Sequence, residues 1–189
     1  MHSDSKEEVM EERNTFYLAY GSNLSVGQML YRCPNAIYVG TAEIDGYELL
    51  FKGSKTGSYL TIEKNTGSMV PVAVWRISAE DEKNLDRYEG CPRFYYKTRI
   101  PVKVRNLLTG RLGPEVDGII YIMHEERSMG IPTGEYYNTC LEGYRRFGFD
   151  PKLLLHGLSL STGEKEGQEL VNFWTSKSYG FRRRAFAWR

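Results

Sequence analysis

Strand-like runs fill the middle of this chain and stop near residue 124, and this division constrains the fold more than any other feature. Runs rich in aromatic and β-branched residues, separated by turn-forming residues, predict strands. These runs cover 15–20, 36–52, 59–63, 69–77, 95–104 and 116–124. From Tyr136 onward the apolar residues recur at helical spacing instead, and Gly148 is well placed to end that helix. A mostly β middle followed by helices predicts an α+β fold.

Three shorter helices are predicted beside these strands. Ser78 and Asp81 have the spacing of a capping box, with Asp in place of the usual Glu, and they predict a helix over about 79–88. Ser25 is a suitable cap for a helix that follows the first strand, and Asp150 with the proline after it opens another near the end.

Length and charge favour one domain that binds a small molecule. The 189 residues suit a single core, and 25 Lys and Arg nearly balance 24 Asp and Glu. With its charges so nearly balanced, the chain has no overall electrostatic field that would attract nucleic acid or an acidic membrane surface. No apolar run is long enough to span a bilayer or to form a signal peptide core. A cytoplasmic protein is expected, without nucleic-acid or membrane partners; the oligomeric state is left open.

Three segments are predicted along the chain. Residues 1–14 are charged and aperiodic, which predicts a mobile leader, with a short helix as the alternative. Residues 15–160 form the expected domain. Residues 161–189 are rich in Glu, Lys and Arg, and no element is assigned to them. A solvated extension, a partner contact or an added tag is expected there ahead of RNA or membrane contact, and this segment is expected to be dispensable for chemistry.

The first motif with chemical content is the turn Gly21-Ser22-Asn23, which joins the first strand directly to a helix. Such a turn presents backbone N–H groups, and together with the positive end of a helix it can hold a carboxylate or a phosphate. The alternative is a simple connector, which is the commoner role of a Gly-Ser-Asn turn.

The second motif is Glu89, which ends the predicted central helix beside Gly90 and a run of aromatic residues. Desolvation by Tyr88 or by the aromatic side chains at 94–96 would raise its pKa toward about 6 to 7, the range of a general base. A solvated Glu at a helix end is the alternative. Cys91 next to it suggests a thiol nucleophile, but no histidine is near in sequence to activate one.

Together these segments resemble the γ-glutamylcyclotransferase family, including its γ-glutamylamine and plant-type relatives. The resemblance extends over roughly residues 15–160, where three segments match the family in order and spacing. Its three segments are Tyr20-Gly21-Ser22-Asn23-Leu24, then Val74-Trp75-Arg76-Ile77 leading to Glu89-Gly90, then Tyr121-Ile122-Met123 followed by Pro132 and Tyr136. The stretch Glu89-Gly90-Cys91-Pro92 looks closer to the γ-glutamylamine and bacterial branches.

The resemblance implies a fold and a set of roles. The fold is a small mixed sheet, strongly curved or barrel-like, flanked by short helices. Glu89 would be the catalytic acid and base, and Tyr136 would line the pocket. The family tyrosine after the catalytic turn falls on Tyr95 or Tyr96, because a one-residue gap decides between them; the alternative for these tyrosines is core or hairpin packing. The substrate's α-carboxylate end would lie against Tyr20, Gly21, Ser22, Asn23 and Leu24.

The implied reaction needs no cofactor and no metal. A γ-glutamyl compound carries its own nucleophile, because its α-amine can attack the γ-carbonyl and close the 5-oxoproline ring. The three cysteines and three histidines also lack the spacing of a disulfide framework or a zinc site. Two alternatives remain: a γ-glutamyl-tagged natural-product intermediate as substrate, or a catalytically silent ligand-binding module on the same fold. The leaving-amine subsite is expected near 53–58 and 130–136.

Overall fold

A closed barrel of five strands forms the centre of the molecule. The computed structural model describes residues 15–54 and 57–186; the predicted leader lies outside the described residues. The strand order is β1-β3-β2-β4-β5, and β1 closes the barrel by pairing in parallel with β5, while the other pairs are antiparallel. The predicted α+β class and barrel-like mixed sheet are confirmed. The strands are β1 (Thr15–Ala19), β2 (Ile37–Ser54), β3 (Gly57–Ile77), β4 (Tyr95–Asn106) and β5 (Leu112–Met123).

Four short helices lie beside the barrel at the predicted positions, and a fifth, longer helix follows them. The capping box at Ser78 and Asp81 is formed in both directions, and Gly148 ends its helix with a left-handed φ of 72°. A single 3-10 turn (Ser22–Leu24) precedes the first helix. The helices are α1 (Val26–Arg32), α2 (Ala79–Tyr88), α3 (Gly134–Phe147), α4 (Pro151–Thr162) and α5 (Glu164–Phe186).

The separate strands predicted at 59–63 and 69–77 are one strand of 21 residues, and that prediction was wrong. The turn-forming residues between them lie in a bulge. Tyr47 pairs with Lys64 while Asp45 pairs with Met69, so β2 continues along both sides of the irregularity. Pairing with a long partner therefore holds together a segment whose local sequence indicates a turn.

The segment after residue 163 forms a helix, where the sequence assigned no element. Its apolar residues Leu170, Val171 and Trp174 pack against the core, and the Trp174 ring lies 5.3 Å from that of Tyr137 on α3. Their helical spacing is diluted by many charged neighbours, which hides the pattern in the sequence. In the part of the chain that the structure describes, no helix combines the length and apolar character needed to cross a membrane.

Strand β1 positions the end of the barrel that matters for function. It is held on both sides, by β3 and by β5, and Leu18 and Ala19 are fully buried. Gly118 on β5 permits the close approach, because a Cβ there would lie 2.6 Å from the Leu18 side chain. The chain leaving β1 at Tyr20 therefore enters the following turn from a fixed point.

Candidate active site

A small cavity lies at the barrel end where β1 and α2 both terminate. The turn after β1 and the carboxyl group that follows α2 both line it. Strands β1, β3, β4 and β5 and helix α3 complete its wall. The lining residues are Tyr17, Tyr20, Gly21, Ser22, Asn23, Leu60, Glu89, Tyr95, Tyr121 and Tyr136.

The side chain of Asn23 connects the turn to the acid. Its Nδ2 donates to Glu89 Oε1 at 3.2 Å and to the Tyr17 hydroxyl at 2.7 Å, so both amide hydrogens are engaged. Its Oδ1 accepts a hydrogen bond from Arg32, which fixes which way the amide points. Because Asn23 is buried, this arrangement holds Glu89 in one orientation.

The pKa of Glu89 is raised from its ordinary 4.5 to about 7. Burial is the main cause, while the charge of Arg32 and the hydrogen bond from Asn23 lower the pKa and offset part of the effect. The predicted direction is therefore confirmed. Gly90, with a φ of 63°, ends the helix and lets the chain turn away, so that the carboxyl group stays inside the cavity.

The turn that lines this cavity also carries the first backbone N–H groups of a helical turn. Its first internal bond runs from Leu24 N to Gly21 O at 3.0 Å, and the N–H groups of Ser22 and Asn23 precede that bond, as the first N–H groups of any helical turn do. Gly21 keeps the space open, since a Cβ there would meet the Tyr136 hydroxyl at 3.4 Å. The turn can therefore face an anionic group.

Leu24, which the sequence analysis grouped with the binding residues, lies behind the turn and outside the cavity lining. It is fully buried against α3, where a Cβ on Gly143 would come within 2.3 Å of its own Cβ. An apolar side chain in a helical turn that faces the core has no access to the opposite side. Leu24 instead fixes the turn from behind.

Three tyrosines of the wall are held by backbone groups. Tyr95 donates its hydroxyl hydrogen to the carbonyl of Leu60 at 2.9 Å, and Tyr136 accepts from the N–H of Leu60 at 3.1 Å. Tyr20 donates to the carbonyl of Tyr121 at 2.6 Å. Burial raises the pKa of Tyr20, Tyr95 and Tyr136 well above 10, so these rings stay neutral beside Glu89.

A family model described as gamma-glutamyl cyclotransferase, AIG2-like, matches residues 17–138. This chain belongs to that family. Two relatives bear the name gamma-glutamylcyclotransferase: the Mus musculus protein is 28% identical over 154 residues (77% of this chain, 79% of the relative), and the Homo sapiens protein is 29% identical over 145 residues (73% and 74%). Both names are those of an enzyme.

Solved structures share the fold. A structure titled gamma-glutamyl cyclotransferase superposes with a TM-score of 0.67 at 22% identity, covering 85% of this chain and 99% of that one. An uncharacterized protein from Homo sapiens gives a TM-score of 0.65 at 24% identity, covering 76% and 85%. At these identities the likeness shows the fold of the family.

The structure also separates the two candidates for the family's tyrosine after the catalytic turn. Tyr95 lines the cavity, whereas Tyr96 points to the other side of the strand, where its hydroxyl lies 3.1 Å from the Glu125 carboxylate. Successive residues of a strand face opposite sides, so only one of the two can enter the site. Placing Tyr96 in the site was therefore wrong.

Four residues of the cavity or its support were missed from sequence: Tyr17, Leu60, Tyr121 and Arg32. Tyr17 and Tyr121 sit on β1 and β5, and strand alternation could have found them once those strands were known to be neighbours. Arg32 carries no such signal, because it reaches Asn23 only after α1 folds back over the turn.

Other chemistry finds little support near Glu89. Burial and the charge of Asp86 raise the pKa of the Cys91 thiol, which disfavours a thiolate nucleophile. Within residues 15–54 and 57–186, no group of three or more His, Cys, Asp or Glu side chains is arranged to hold a metal ion.

Proposed function

We propose that this protein is a γ-glutamyl cyclotransferase that releases 5-oxoproline and a free amine from a γ-glutamyl compound. One observation carries the proposal: a carboxyl group with a pKa of about 7 shares a small cavity with the Gly21-Ser22-Asn23 turn. The reaction needs an anion-binding turn and a proton carrier within the length of one glutamyl chain.

Ring closure is an intramolecular reaction. The α-amine nitrogen attacks the γ-carbonyl carbon, a new C–N bond forms, and the original C–N bond to the leaving amine breaks. The small cavity, walled by the turn, Glu89 and neutral tyrosines, would confine the glutamyl chain and favour its folded conformer. For well-oriented intramolecular attack, such positioning can remove roughly 7 to 11 kcal/mol of barrier.

The turn provides the anchor for that conformer. The N–H groups of Ser22 and Asn23 would receive the substrate's α-carboxylate, which holds the α-amine near Glu89. The neutral tyrosines around it do not compete as anions for those donors. Pinning the carboxylate at one end leaves the γ-carbonyl as the group that reaches the open side of the cavity.

Glu89 would move the proton in two stages. Its carboxylate first takes a proton from the α-ammonium group, which frees the nitrogen lone pair for attack. The resulting carboxylic acid then gives that proton to the departing nitrogen, which leaves as an amine. The ring nitrogen, which still carries one proton too many after the attack, passes it to the regenerated Glu89 carboxylate, and from there it goes to water. A pKa of about 7 suits both stages, because neither form of the group is strongly favoured at neutral pH.

A panel of γ-glutamyl amines, assayed for 5-oxoproline by mass spectrometry, tests the proposal. We expect turnover of at least one member and a loss of at least about 100-fold in Glu89→Gln. Glu80→Gln, an exposed acid on the same helix, is the matched control and should behave as the parent protein. Absence of 5-oxoproline from every member, with binding retained, would favour the silent ligand-binding module.

A further inference from the structure

A second cavity opens outward from the first and bears on which amine leaves. It is open to solvent and shares Ser22, Glu89, Tyr95 and Tyr136 with the inner cavity. Because the inner cavity would enclose the glutamyl chain with its carbonyl toward Glu89, the leaving amine extends into the outer one. Its remaining lining consists of Tyr59, Tyr88, Gly90 and Phe94.

Aromatic rings form a continuous wall in this outer cavity. The Tyr59 ring meets Phe94 edge to face at 6.2 Å and Tyr136 edge to face at 5.2 Å. Phe94 in turn meets Tyr95 at 5.2 Å, and the guanidinium group of Arg127 lies over the Phe94 ring, 4.4 Å from its centroid. Each ring is held by another, so the wall is formed before any ligand enters.

The position of Phe94 is fixed by the loop that follows Glu89. Its N–H donates to the carbonyl of Gly90 at 2.9 Å, which places the ring one tight turn after the acid. The Phe94 ring, which would contact the leaving group, is therefore held at a fixed place relative to Glu89. A substrate that packs against this ring would also keep its leaving nitrogen near Glu89.

The charges around the outer cavity are not suited to a cationic leaving group. Among its described lining residues, Glu89 has the only carboxyl group, and that group is used in the proton transfer. Arg127 beyond Phe94 would repel a second ammonium group. An amine with a flat apolar body gains ring contacts without such a cost.

We propose that this outer cavity is a leaving-amine subsite selective for aromatic amines, of which phenylalanine is the simplest amino acid example. The inference rests on the proposed cyclotransferase activity. It excludes leaving groups with a second positive charge, such as lysine joined through its ε-nitrogen, as preferred substrates. A small leaving group such as alanine would leave the aromatic wall exposed to water.

The test compares kcat/KM for γ-glutamyl-phenylalanine, γ-glutamyl-alanine and ε-(γ-glutamyl)-lysine. We expect the phenylalanine compound to be preferred over each of the others by at least tenfold. In Tyr59→Ala and Phe94→Leu the phenylalanine-to-alanine ratio should fall by at least fivefold. Tyr31→Ala, an exposed tyrosine on α1, is the control and should keep the parent ratio. Equal kcat/KM for phenylalanine and alanine, or preference for lysine, would overturn the subsite and leave the cyclotransferase activity standing.

Binding to the Glu89→Gln protein separates this inference from the reaction itself. Calorimetry with the phenylalanine and alanine compounds should show the same order of affinity in the absence of turnover. If no compound yields 5-oxoproline in the parent protein, the proposed reaction fails, yet a tenfold tighter binding of the phenylalanine compound would still support the aromatic subsite. Equal affinities would reject the subsite by a route independent of catalysis.

Discussion

Two carboxyl groups one helical turn apart, Asp86 and Glu89, have opposite surroundings. Asp86 faces outward and lies 2.8 Å from Lys97, which also binds Glu82 at 2.6 Å. Glu89 faces the cavity, where Asn23 is its hydrogen-bond donor. Tyr121 separates the two regions, since its ring lines the cavity while its hydroxyl donates to Asp86 at 2.7 Å.

The difference shows that neighbours, and not residue type or helix position, decide what an acid can do. Asp86 has a permanent counter-ion and serves to join α2 to β4. Glu89 is desolvated beside a neutral amide, so its pKa lies near neutral pH and the group can both take up and release a proton there. Replacing each acid in turn by its neutral amide tests this comparison.

The largest expected effect comes from neutralising each acid separately. Glu89→Gln should lower kcat for 5-oxoproline formation by about 100- to 10,000-fold, because the proton carrier is lost. Asp86→Asn should lower it by less than about tenfold, since it changes only the outer network. Steady-state kinetics on one γ-glutamyl substrate measure both, and equal losses would end the distinction between the two acids.

The next effect is on stability. The folded state raises the pKa of Glu89 from 4.5 to about 7, so folding favours its protonated form. This contribution is fully present below pH 4.5 and is lost as the pH rises through 7. At about 1.4 kcal/mol per unit of pKa, the parent protein should lose roughly 3 kcal/mol more than Glu89→Gln between pH 4.5 and 9. Urea unfolding at several pH values measures this, and parallel curves would contradict it.

A smaller effect is expected at Arg32, whose charge lowers the pKa of Glu89. Proton abstraction needs ionised Glu89, so kcat/KM should rise as the pH passes about 7. The Arg32→Gln variant lacks this charge, so the pH at which kcat/KM rises should be higher than in the parent protein. The shift should be about one pH unit or less, because Arg32 is partly exposed to solvent. Arg32→Lys keeps the charge and should move that pH less. A downward shift in the Gln variant would be incompatible with this electrostatic role.

The smallest effect is expected in the outer region. Lys97→Met removes the partner of both Glu82 and Asp86, but these groups are partly exposed, and such pairs contribute about 0 to 1 kcal/mol. The free energy of unfolding should fall by no more than that, and the pH at which kcat/KM rises should stay the same. A shift of the pH at which kcat/KM rises would show that the surroundings of Asp86 and Glu89 are electrostatically coupled through Tyr121.

The sequence predicted those features that local chemistry controls. The capping box at Ser78 and the helix end at Gly148 follow from short motifs, whereas the meeting of the Gly21-Ser22-Asn23 turn with Glu89 was expected from the resemblance to the family. What it could not predict depends on pairing between distant segments. The continuity of β3 past its bulge comes from β2, and the choice of Tyr95 over Tyr96 comes from which face of β4 turns inward.

The peptide group of Leu60 illustrates a further consequence. Both of its polar atoms hold tyrosines of the cavity, one through the N–H and one through the carbonyl, so the side chain at this position takes no part in either bond. Any apolar residue of similar size would preserve the same geometry, and only proline would remove the donor. The residue at this position can therefore change to another apolar residue of similar size while the role of its peptide group is kept, and a comparison of residue identities alone would miss that role.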